Sequence, residues 1–150
     1  MEFCFEIKID TSDVISVLAV LVAGLSALYT RRSWEEVKRS NNLSIIGRKK
    51  EIYDAFFELK MHMIQRTKFA DIGEVSKFYY ASRNASIYLP FELAEDIRQY
   101  FEACFWVGDI NRKYGGLTKE GDNEAEPHLR LERELATKID KALLKLLEDV

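Results

Sequence analysis

The chain has 150 residues, 31% of them charged, with 22 Lys and Arg against 25 Asp and Glu and a formal net charge of −3. That length allows one modest domain, and the near-neutral balance excludes a general duplex nucleic-acid binder, which needs a basic surface. That charge content and only two prolines suit helices.

The first ten residues alternate, with Phe3, Phe5, Ile7 and Ile9 on one side and Glu2, Cys4, Glu6, Lys8 and Asp10 on the other. Period two reads either as a strand that pairs with strands of other copies or as an aromatic tail in lipid headgroups. Both alternatives stay open.

Val14 to Thr30 (VISVLAVLVAGLSALYT) is uncharged, closed by Asp10 and Asp13 before it and Arg31-Arg32 after it. As a helix it covers roughly 26 Å, at the short end of what crosses a hydrocarbon core. A buried core helix would be shorter and carry a polar face, whereas only Ser16, Ser26 and Thr30 are polar here. The acidic start argues against a cleavable signal peptide, and the missing polar face against an interfacial helix. A transmembrane helix over 14–30 is therefore expected. Only Lys8 precedes it, while Arg31, Arg32, Lys38, Arg39, Arg48, Lys49 and Lys50 follow. The positive-inside bias predicts a short extracytoplasmic tail over 1–13 and a cytoplasmic C-terminal side. Residues 31–68 are the basic half, where anionic lipid attracts about 1 kcal/mol per nearby charge.

Ser33-Trp34-Glu35-Glu36 fits a capping box, although the membrane helix could equally run on to Arg39. Asn41-Asn42 reads as a break, so 31–43 is expected to be a juxtamembrane linker and 44–150 a cytosolic helical domain. Four helices are predicted in it, at 44–69, 74–89, 91–113 and 128–149, with Pro90 and Gly115-Gly116 as start and stop signals for the third. Residues 115–127 (GGLTKEGDNEAEP) lack periodicity and are predicted to be a loop. The fold class is all-α: one N-terminal membrane helix followed by a four-helix cytosolic domain.

The 44–69 helix carries two apolar seams, Ile45, Ile52, Phe56, Leu59 and Met63 beside Ile46, Tyr53, Phe57 and Ile64. Between them fall Lys49 and Lys60. Either each seam packs on a different neighbour while the lysines snorkel out, or the two ammonium groups face an anion held at a subunit interface. On the next helix Arg83 and Tyr80 lie off the apolar face, where arginine beside tyrosine can stack on and pair with a nucleotide; an exposed pair on an ordinary helix is the plainer alternative. Lys49, Lys60, Arg83 and Tyr80 are the candidate ligand-binding residues. The third helix offers Leu93, Ile97, Tyr100, Phe101, Cys104 and Val107 as core, and Cys104 reads as a small buried apolar residue. Leucines from Leu129 to Leu147 give the last helix a near-heptad seam that can close the domain or join a neighbour.

His62 and His128 belong to no metal-binding pattern, and neither GxSxG nor GxxxxGKS occurs. No enzyme activity, catalytic residue, metal or cofactor is expected.

The run EVSKFYYASRNASIYLPFELAEDIRQYFEACF over 74–105, with RRSWEEVKRSNN before it and LRLERELATKIDKALLKLLEDV after it, resembles small uncharacterised bacterial single-pass membrane proteins. In those a short helix ends in an aromatic-aliphatic "FLF" element before an acidic, aromatic-rich helix; here the element reads Ile87-Tyr88-Leu89-Pro90-Phe91. By architecture alone the chain is also similar to CRISPR-associated and other antiviral membrane effectors that answer cyclic oligonucleotides. A single spanning helix cannot form a pore alone, so a homo-oligomer in the bacterial inner membrane, in contact with membrane lipids, is expected; the resemblance implies that it gates or perturbs the bilayer on binding an anionic ligand, of which a cyclic oligoadenylate is the instance. It implies no binding residue. The competing expectation is a scaffold that holds a protein partner at the membrane without a small ligand.

Overall fold

A computed structural model describes residues 11–115 and 118–148. The alternating first ten residues and Cys4 lie outside these. The described residues are all-α, and the chain divides into two units, Met1–Leu43 and Ser44–Val150.

The first helix, α1, runs from Thr11 to Arg66. Asn41-Asn42 does not break it, and residues 31–43 are helical, past Arg39. Asparagine is only a weak helix former, with neither the missing N–H nor the ring clash of proline, so a helix already formed on either side propagates through it. Ser33 is likewise inside the helix and caps nothing.

In the first unit the apolar stretch is bare on every side. Val14 is 46% exposed and Tyr29 76%, and none of its most apolar window is covered by the chain. Thr30 returns its hydroxyl to the Ser26 carbonyl at 2.8 Å, which removes one polar group from the helix surface. The helix is long and apolar enough to cross a membrane.

In the second unit Ile52, Phe56, Leu59 and Met63 turn one stripe of α1 into core, at the 4-3-4 spacing a helix face requires. Phe56 packs its ring 5.2 Å from Tyr100 and 6.5 Å from Phe78. The second seam is not core: Phe57 and Ile64 are exposed and Tyr53 is half-buried. After a 3-10 turn at Thr67–Phe69 the chain reverses, with Thr67 left-handed at φ 50° and Ala70 fully buried. Asn111 secures the reversal by donating its side-chain amide to the Ala70 carbonyl at 3.1 Å.

The expected 74–89 helix is two pieces, α2 (Ile72–Lys77) and α3 (Tyr79–Tyr88). Asp71 caps α2 by accepting from the Gly73 and Glu74 amides, at 2.7 and 3.1 Å. At Phe78 the backbone tightens, its N–H bonding to the Val75 carbonyl at 3.1 Å, and both side chains end up buried. The helix α4 (Phe91–Tyr114) crosses the others closely enough that a Cβ on Gly108 would lie 3.1 Å from the Ile72 backbone. Gly115, at φ 69°, ends it in the left-handed conformation expected of a C-terminal glycine.

The last helix, α5, spans Lys119–Glu148, so residues 119–127 are helical and not a loop. Thr118 starts it, accepting the Gly121 amide at 3.1 Å, and Glu120 and Asp122 suit the positive end of the dipole. Lys68 grips Asp122 at 2.8 Å and the Tyr114 hydroxyl donates to Glu124 at 2.8 Å. Pro127 sits inside the helix on an exposed face, where water can take the carbonyl left without its amide partner.

One acid is in the core. Glu132 is 7% exposed and accepts from the Tyr100 hydroxyl at 3.3 Å, beside the buried Cys104. Burial pushes the Glu132 carboxyl above its ordinary 4.5, outweighing the Tyr100 hydrogen bond and the pull of Arg133 and Lys60. Because the folded value is raised, the stability this group supports is complete below 4.5 and falls as pH rises through the folded value. Glu132→Gln is therefore expected to lessen the fall in stability between pH 4.5 and neutral pH without lowering stability at pH 4.5. Guanidinium unfolding at the two pH values checks this; a larger pH dependence in the variant would contradict it.

Candidate functional site

The four residues nominated by the sequence do not meet in one place. Lys60 donates to Asp140 of α5 at 2.7 Å, with both side chains about a quarter exposed or less. Its charge is compensated within the chain, so Lys60 is not a bare cation awaiting an anion. Lys49, about 16 Å earlier along the helix, is half-buried and makes no ion pair among the described residues. One oxygen of the pair, Asp140 Oδ1, is buried and has no hydrogen-bond partner in the chain. Lys60→Ala is expected to lower stability by about 1–3 kcal/mol, because it leaves the Asp140 carboxylate poorly solvated and alone. A double-mutant cycle with Asp140→Ala measures this; additive effects would show that the pair contributes nothing.

Arg83 and Tyr80 share α3 but line different hollows. Arg83 borders a cleft of about 280 Å³ between α3 and α4, with Ser86, Phe91, Glu95 and Arg98 around it. Arg98 is engaged on both sides: Nε and Nη2 donate to Glu95, and Nη1 donates to Glu102. The Arg98 hydrogen bonds first, and then the Gln99 amide, hold the Glu95 carboxyl at about 2. Ser86 returns its hydroxyl to the Arg83 carbonyl at 3.0 Å. Arg83 itself has no acidic partner among the described residues, which leaves it as the free cation of the cleft. Phe91 is 84% exposed, an unusual setting for a phenyl ring, and opens α4 behind Pro90, which supplies no capping side chain. A guanidinium, a bare aromatic face and a positive helix end together suit an anion attached to a planar apolar group.

Tyr80 lies in an apolar groove of about 360 Å³ with Ser76, Tyr79, Phe101 and Phe105. Its ring meets Tyr79 edge-on at 5.5 Å, and Tyr79 lies 5.9 Å from Phe101. No cation–π contact joins Arg83 and Tyr80 among the described residues, and the two border different hollows.

Sequence reasoning missed Phe91 and Arg98 as neighbours of Arg83. The available signal was an exposed-face phenylalanine directly after Pro90, at the start of a helix whose core face begins only at Leu93. No group of three or more His, Cys, Asp or Glu side chains is placed to hold a metal among the described residues. No family model, curated protein or solved structure matches this chain.

Proposed function

We propose that the chain is a single-pass inner-membrane protein whose cytosolic helical domain senses an anionic ligand in the Arg83 cleft. Copies associate in the bilayer and perturb or gate it when ligand binds. The observation that carries the reading is the helix surface from Val14 to Tyr29, apolar all round and covered by nothing in the chain, followed at once by Arg31 and Arg32. Lipid or further copies are the natural cover for such a surface in the bilayer. The lysine and arginine excess after it favours a cytosolic position for the second unit.

A cyclic oligoadenylate matches the cleft in kind, since it joins phosphates to planar bases that could stack on Phe91. In titrations of the full chain in detergent, cyclic tri- or tetra-adenylate is expected to raise the thermal midpoint, because a ligand that binds only the native state stabilises it. Arg83→Ala should remove that rise while leaving the ligand-free stability within about 0.5 kcal/mol of the parent, as for other exposed side chains. No rise with either nucleotide would overturn the sensor reading. The apolar groove beside Tyr80 would then favour the scaffold alternative, a protein partner held at the membrane.

A further inference from the structure

A third, smaller cleft of about 60 Å³ lies where the end of α1 meets α2, with Glu58, His62, Glu74 and Lys77 on its walls. His62 Nε2 accepts a hydrogen bond from the backbone N–H of Asp71 at 3.0 Å. The bond requires an unprotonated Nε2, so the ring is neutral, with its proton on Nδ1. It ties the last turns of α1 to the residue that caps α2. Around it, Thr67 is in the left-handed region and the Ala70 amide reaches the Thr67 carbonyl at a long 3.3 Å, while Asn111 holds the Ala70 carbonyl.

We propose that His62 is a proton-sensitive latch on the α1–α2 reversal. Uptake of a proton at Nε2 turns the acceptor into a donor facing a donor, and the bond to Asp71 is lost. The surroundings favour the opened form once the ring is charged. On α1, Glu58 precedes His62 by one turn and Arg66 follows by one turn. The reversal brings the Asp71 carboxylate, and α2 brings Glu74 and Lys77, which pair with each other at 2.6 Å. Lys68, the remaining charge of the reversal, is held by Asp122 of α5. Carboxylates thus outnumber free cations around the ring, and an imidazolium can turn to Glu58 or Glu74. The Asp71 side chain still caps α2 through the Gly73 and Glu74 amides and Asn111 still holds the Ala70 carbonyl, so the group released is the Asp71 backbone N–H.

The test is amide hydrogen exchange at Asp71 in the full chain in detergent, between pH 7.5 and pH 5.0, corrected for the pH dependence of exchange itself. Protection at Asp71 is expected to fall at least tenfold on acidification. His62→Gln places a non-titrating oxygen where Nε2 stood and should keep protection at both pH values. His62→Phe should show the low-protection state at both, with helix content unchanged. Constant protection in the parent protein, or a fall in His62→Gln equal to the parent's, overturns the proposal. Neither result bears on the membrane or ligand reading, which rests on other residues.

Discussion

Leu18→Arg combined with Leu21→Arg is expected to release the chain from the bilayer. Each arginine near the centre of a membrane helix costs about 2.5–3.5 kcal/mol of insertion free energy, so two cost roughly 5–7 kcal/mol. Both positions are more than half exposed and touch nothing in the chain that must be preserved, so the second unit should remain folded. After an alkaline carbonate wash the parent should stay with the membrane pellet and the variant should not. A Leu18→Ile, Leu21→Ile control should behave as the parent. If the parent itself washes into the supernatant, the helix does not span, and the sensor reading loses its anchor.

Phe56→Ala should be the most damaging single truncation in the second unit. The ring is fully buried between Phe78 and Tyr100, and removing such a side chain from a packed core costs about 3–5 kcal/mol. A domain of this size is stable by about 5–15 kcal/mol in total, and each kcal/mol shifts the midpoint of a small domain by about 4–8 °C. A fall on the order of 15–30 °C is therefore expected in a thermal melt followed by helix signal. Phe57→Ala, one residue on, removes a ring that is 44% exposed and should cost about 1 kcal/mol or less. Equal losses at the two positions would mean that α1 presents a different face to the core.

The contrast between Phe56 and Phe57 also marks how far the two-seam pattern could be read. Either seam of α1 is apolar enough to be core, and periodicity alone gives no reason to prefer one. The choice falls to the partners: Phe78 and Tyr100 meet the Phe56 seam, and the Asp140 carboxylate meets Lys60 on the flank. Tyr53 and Phe57 stack on each other at 6.2 Å instead. Their exposed seam is the surface on which self-association of the chain should be sought.

Local chemistry made much of the helical outline legible. The uncharged run 14–30, Pro90 before α4 and Gly115 after it are short-range signals whose meaning does not depend on distant residues. The apolar face of α4, including Cys104, follows from a 3.6-residue period in the same way. Long-range contacts decided the rest. The segment 119–127 looks like a loop because its glycine and acids have no periodicity; it is helical where Lys68, Tyr114 and Thr118 satisfy those acids and amides. Asn41-Asn42 looks like a break because asparagine favours turns, yet a weak propensity of a few tenths of a kcal/mol yields to the continuing helix. Arg83 could be nominated from its place on a helix, but its freedom could not: that depends on Glu95 and Glu102 being occupied by Arg98. Likewise Lys60 is a suspicious cation in the sequence and a paired one in the fold, because the carboxylate that meets it lies eighty residues away. Charge and periodicity act along the chain and can be read there; compensation of charge and the choice between equivalent faces act across it, and exist only once the helices have packed.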